Sequence, residues 1–117
     1  MSFDQESLIN LIEGDKELLA SLLTLFEDGW PKLLDQIRSA LQNNDQKTVY
    51  QFAHRLKGTL HNFYAKESVE LAQRLEDIGK AGLLKGAEPL VDQLETQLVQ
   101  VQEDLRSFLD KMNKSGD

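Results

Sequence analysis

The chain contains no cysteine, which excludes a disulfide framework, thiol catalysis and thiolate metal ligation. It contains only two prolines in 117 residues, so long helices meet few obstacles. No apolar run approaches the about 18 residues that span a bilayer, and no membrane contact is expected. The start, "MSFDQES", lacks the basic and apolar regions of a secretory signal, which makes a cytoplasmic location the expectation. Positive charge is scarce as well. Thirteen Lys and Arg stand against twenty Asp and Glu, a net charge of −7. A chain that binds nucleic acid through its phosphates needs a basic face, so no nucleic-acid partner is expected. The acidity suits a partner with a basic or mixed surface, or simply keeps the domain soluble.

What is present is helical periodicity from end to end, without strand alternation or internal repeats. A short segment over about 4–13 carries Leu8, Ile9, Leu11 and Ile12, and Asp15 is placed to cap the next helix. That helix carries an apolar stripe from Leu18 to Leu41. Pro31 lies inside it, where a kink or break is expected, with the two halves roughly collinear. "QNND" at 42–45 reads as a loop. The third helix has Val49, Phe52, Ala53, Leu56, Leu60 and Phe63 on one face. The fourth, about 66–81, carries Val69, Leu71, Ala72, Leu75 and Ile78, with Gly79 and Gly82 expected to end it. The last opens near Glu88 and Pro89 and runs a heptad-like seam through Val91, Leu94, Leu98, Val101, Leu105, Phe108 and Met112.

Four amphipathic helices with short connections predict an all-α, antiparallel four-helix bundle with a short additional N-terminal helix. One domain spans 1–112, and 113–117 is a flexible tail. The seam on the last helix could serve a coiled-coil dimer, but beside three other amphipathic helices it is expected to pack within a monomer.

Conventional catalysis has little to stand on. Neither His54 nor His61 follows a glutamate at three residues, as a di-iron bundle requires. There is no zinc-protease motif, no glycine-rich phosphate loop and no nucleophile elbow, and no metal site is expected. The third helix nevertheless carries an unusual outer row: Tyr50, Gln51, His54, Lys57, Gly58 and His61. An exposed imidazole is largely neutral at pH 7, so its ring nitrogen can attack a phosphoryl group. Lys57, one turn on, can neutralise charge there. Gly58 costs the helix about 1 kcal/mol relative to alanine but removes a side chain beside His54. The plainer account is a surface histidine next to a tolerated glycine, and spacing alone does not discard it.

Residues 53–65, "AHRLKGTLHNFYA", resemble the signature of histidine phosphotransfer (HPt) domains, roughly A-H-x-L-K-G-x-x-x-N-[LF]-G-A. Ala53, His54, Leu56, Lys57, Gly58, Asn62, Phe63 and Ala65 match as they stand. "GDKELLASLLTLF" at 14–26 and "LAQRLEDIGKAG" at 71–82 resemble the family's second and fourth helices. The resemblance implies that His54 accepts a phosphoryl group from, or returns it to, an aspartate of a response-regulator receiver domain, in two-component signalling. It implies no ATP-dependent kinase activity and no cofactor of its own, the divalent cation being the receiver's. A hybrid sensor histidine kinase is a further implied partner. Lys57 and Gly58 take the roles of charge partner and clearance. Glu76 matches the residue that hydrogen-bonds the histidine's other nitrogen. Gln51, Arg55 and His61 are candidates for the docking rim, and Arg74 for added positive charge. Exposed apolar residues on the first helix or the start of the second are where the docking patch is sought. One position departs from the pattern: Tyr64 stands where the family has its second glycine. A receiver-binding protein without transfer, or an unrelated structural bundle, are the competing readings.

Overall fold

The computed structural model describes residues 1–115 as five helices joined by short turns: α1 (Gln5–Ile12), α2 (Lys16–Gln42), α3 (Gln46–Asn62), α4 (Lys66–Ala81) and α5 (Glu88–Ser115). The starts follow from local chemistry. Asp4, Asp15 and Asp45 sit at N-caps, where their carboxylates accept from the N–H groups of Ser7, Leu18 and Thr48. Each satisfies a donor that the first turn would otherwise leave unpaired. Only α4, entered through Ala65, starts without such a side-chain bond among these four.

The ends of α1 to α4 share one device, in which the chain turns through a left-handed residue and returns two N–H groups to the last turn. The left-handed residues are Glu13, Asn44, Tyr64 and Gly82. At the end of α3, Tyr64 N–H donates to the His61 carbonyl and Ala65 N–H to that of Leu60. Gly82 alone ends α4. Gly79, expected to share that role, lies inside the helix.

α2 passes through Pro31 as one continuous helix, so the break that the sequence allowed does not occur. An interior proline costs about 3 kcal/mol. Leu23, Phe26, Trp30, Leu34 and Ile37 are buried on both sides of it, each worth about 1.5–3 kcal/mol, so packing outweighs the lost hydrogen bond. Trp30 Nε1 also donates to Gln102 Oε1 of α5 at 2.7 Å. At the other terminus α5 continues through Ser115, three residues past the expected domain boundary. The remainder of the predicted tail, 116–117, lies outside the described residues.

The helices pack in a ring, α2 against α3, α3 against α4, α4 against α5 and α5 back against α2, in a body 51 × 20 × 19 Å. The seam of α5 from Val91 to Phe108 is buried inside this ring, so its partners are in the same chain. α1 and the preceding residues cover one end. Leu8 and Ile12 are buried there, the Phe3 and Phe108 rings meet edge to face at 5.5 Å, and Asp4 N–H donates to the Tyr64 carbonyl at 3.1 Å. Among the described residues no helix is long and apolar enough to cross a membrane.

Candidate functional site

Because Ala53, Leu56 and Leu60 point α3 into the core, the residues between them are forced outward. His54 is one of these, with its side chain 62% exposed. Its Nδ1 lies 2.8 Å from Oε1 of Glu76, which reaches across from α4 and is only 8% exposed. A carboxylate can only accept, so Nδ1 donates here, and in the neutral ring Nε2 keeps its lone pair. No hydrogen bond among the described residues reaches Nε2. The Tyr50 ring, one turn earlier, lies nearly parallel to the imidazole, with centroids 6.2 Å apart.

This geometry needs Glu76 to be ionised, and burial works against that. The hydrogen bonding and charge of Lys57 and His54 outweigh burial and hold the carboxyl below the ordinary carboxylate range. Lys57 Nζ is 2.5 Å from Oε2 of Glu76. The approach is off the ideal hydrogen-bond geometry, yet the pairing favours the ionised carboxylate through hydrogen bonding as well as charge. Lys57 also donates to Gln73 Oε1 at 2.9 Å, and the Gln73 amide donates to Asp77 at 2.8 Å. The Lys57 side chain is therefore folded down against α4 and is 18% exposed. Sequence reasoning reached Lys57 as a charge partner for the group on His54. The structure makes it first the charge partner of Glu76.

Three residues that shape the site went unassigned in the sequence. Tyr50 was placed on the outer row without a role. Gln73 sits one turn before Glu76, a spacing that could have flagged it as a neighbour of whatever contacts Glu76. Gly79 is the third. A Cβ there would lie 2.7 Å from the Tyr50 nitrogen and 2.9 Å from its Cα, closer than atoms can approach. Gly79 thus brings the α3 and α4 backbones together one turn from Glu76, which helps a short carboxylate side chain span the gap to His54. A Cβ at Gly58 would meet nothing within 4 Å. No internal contact requires that glycine.

Gln51, Arg55, His61 and Arg74 are exposed. The Arg55 guanidinium lies 5.0 Å from the Phe52 ring centroid, beside its own helix and away from Glu76. His61 is in the last turn of α3. Ile9 and Leu11 of α1 and Leu18 and Leu25 of α2 are exposed, Leu25 to 69%. A hollow of about 230 Å³ opens between α2 and α3 beside Leu25, lined also by Leu22, Gly29, Leu33, Thr59 and Asn62 among others.

Tyr64 explains the motif's second glycine in backbone terms. Its φ is +56°, a region where glycine is free and asparagine tolerable. For a bulky L-residue the conformation costs about 1–2 kcal/mol. The end of α3 forms all the same, with its hydrogen bonds intact.

This architecture and this histidine site have counterparts among known proteins. The family model described as the Hpt domain matches residues 21–104, and the chain belongs to the Hpt domain family. Its fold is similar to that of histidine-containing phosphotransfer protein B from Pseudomonas aeruginosa PAO1, at TM-score 0.86 and 24% identity, over 94% of this chain and 96% of that one. It is also similar to the HPT domain of a sensor hybrid histidine kinase from Shewanella, at TM-score 0.76 and 22% identity, over 94% and 95%. No curated protein sequence matches. The chain's role is histidine phosphotransfer in a two-component phosphorelay. Hpt domains are transfer intermediates rather than kinases, and they interact with response-regulator receivers and hybrid kinases.

Proposed function

We propose that His54 is the phosphoacceptor and that its Nε2 exchanges a phosphoryl group with the aspartate of a response-regulator receiver domain. One observation carries the reading: a buried carboxylate occupies Nδ1 while Nε2 points out unbonded. In the forward step the Nε2 lone pair attacks phosphorus, the P–O bond to the receiver's aspartate breaks, and the aspartate leaves as a carboxylate. The imidazole becomes cationic as the N–P bond forms. Glu76, 2.8 Å from the Nδ1 proton, stabilises that charge and holds the ring in the reactive tautomer. The reverse step returns the phosphoryl group by the same path.

Lys57 keeps Glu76 ionised and balances its charge, so the carboxylate does not simply draw a second proton onto the imidazole. Gly58 leaves the approach to Nε2 open. The receiver brings its own acidic pocket and divalent cation, and this chain contributes a nucleophile without a nucleotide site or a cofactor. Docking uses a polar rim at Gln51, Arg55 and His61 and the exposed apolar residues of α1 and early α2. The protein acts as a monomer.

The test is label transfer from a phosphorylated receiver. The wild type takes up label that is acid-labile and base-stable, as a phosphoramidate is, and His54→Gln takes up none while keeping its thermal midpoint. Labelling of His54→Gln at the wild-type rate would overturn the assignment. Receiver binding without transfer under any condition would identify a binding protein instead.

A further inference from the structure

We propose that Tyr64 is a recognition residue for the receiver domain: its ring and the hollow beside it form part of the docking surface and help decide which receivers are accepted. The inference rests on the phosphotransfer reading of His54 and extends it to a residue that the motif replaces with glycine.

Glu13, Asn44, Tyr64 and Gly82 hold the same backbone conformation at four helix ends. Gly82 adopts it freely and Asn44 is a type that tolerates it. Glu13 is a flexible polar side chain in solvent. Tyr64 is the bulky one: among the described residues its hydroxyl makes no hydrogen bond and its ring meets no other ring. The residue is 39% exposed.

Its backbone, by contrast, is firmly held. The N–H donates to His61 and the carbonyl accepts from Asp4. The ring is therefore an aromatic presented from a fixed base, the kind of group that loses little freedom on binding and is enriched where binding energy concentrates. It lines a hollow of about 290 Å³ with Asp4, His61, Ala65, Lys66 and Val69. His61 lies two turns after His54 on the same side of α3, so this hollow continues the surface that the receiver must cover to reach Nε2. Ala65 and Val69 supply apolar lining, and Asp4 and Lys66 supply opposite charges. The occupant is an apolar side chain of the receiver flanked by polar neighbours.

The experiment compares Tyr64→Gly, Tyr64→Asn and Tyr64→Phe. The donor is the phosphorylated receiver domain of the host that transfers fastest to the wild type. Glycine and asparagine accept the backbone conformation, so both variants fold and both lack the ring. Their melting temperatures rise by about 3–6 °C for each kcal/mol of strain relieved. The receiver concentration giving half-maximal transfer rises about tenfold, with the maximal rate within about twofold, since the ring binds the partner and leaves the chemistry alone. Tyr64→Phe stays within about threefold of wild type on both measures. A half-maximal concentration within about threefold of wild type for both ring-less variants overturns the proposal, as does a loss confined to the maximal rate. If instead no receiver labels the wild type at His54, the phosphotransfer reading itself fails, and Tyr64 falls with it.

Discussion

A methyl group added at Gly79 would collide with the Tyr50 backbone at 2.7 Å, whereas one added at Gly58 would meet nothing within 4 Å. Both glycines sit inside helices, where each costs about 1 kcal/mol against alanine. Gly79 recovers that cost within the molecule, by bringing α4 close to α3 near the Glu76–His54 contact. Gly58 recovers nothing by close packing within the chain, which is what the proposed clearance for a partner would leave. The same contrast separates two faces of the bundle. Between α2 and α5, Arg38 contacts Glu88, Asp92 and Glu95 at 3.5, 2.8 and 2.6 Å, and Arg106 pairs with Glu27. Those charges answer one another. Around His54 the design is open: a bare nitrogen, a bare glycine and a strained exposed tyrosine. Gly58 and Tyr64, two features that cost stability, both lie on α3 or at its end, the helix that carries His54.

The largest expected break in this contrast is Glu76→Ala. It frees Nδ1 and leaves Lys57 without its carboxylate, so the unfolding free energy drops by about 1–3 kcal/mol and transfer slows more than tenfold or so; stopped denaturant titrations and single-turnover labelling measure the two. Transfer at the wild-type rate would remove Glu76 from the mechanism. Gly79→Ala comes next. The clash is with backbone, so the helices must separate, at about 1–3 kcal/mol, and the His54 Nδ1 proton should lose its hydrogen-bonded NMR shift. Gly58→Ala has the opposite sign. Stability rises by about 0.5–1 kcal/mol, while Gly58→Gln, which fills the approach to Nε2, slows transfer about tenfold or more. If Gly58→Gln transfers normally, the glycine is not clearance. Arg38→Ala is the smallest, about 0.5–1 kcal/mol lost in low salt and less in high salt, with transfer unchanged.

Acidity sharpens the same comparison. The Glu76 carboxyl is lowered in the folded protein by Lys57 and His54 against the opposing effect of burial. A lowered carboxylate stabilises the fold above its unfolded pKa, and that contribution is lost as pH falls through the folded value. The thermal advantage of wild type over Glu76→Gln should therefore shrink as pH drops from about 5 to about 3. An advantage that stayed constant over that range would mean that Glu76 is not held ionised by its neighbours.

Much of this was legible in the sequence, because the helices are written in one apolar stripe each and the start of α2 in the capping Asp15. Val49 to Phe63 placed His54 outward, and the match through Ala53, His54, Leu56, Lys57 and Gly58 pointed to its chemistry. Pro31 does not break α2 because its local preference is outweighed by five buried side chains around it. Gly79 misled because a glycine near a helix end looks like a stop signal, and only the neighbouring backbone reveals a close approach. The Lys57–Gln73–Asp77 chain joins two helices, and periodicity within one helix cannot show which of its residues meet another's. Tyr64 was visible as a departure; its left-handed backbone was not.

The central claim is that Glu76 reserves Nδ1 and leaves Nε2 to accept the phosphoryl group. NMR of the phosphorylated protein, with ¹⁵N-labelled histidine and ³¹P detection, assigns the phosphorylated nitrogen directly. The account predicts a single phosphohistidine, at His54, with phosphorus on Nε2 and the proton retained on Nδ1. Phosphorus on Nδ1 of His54, or on His61, would contradict it.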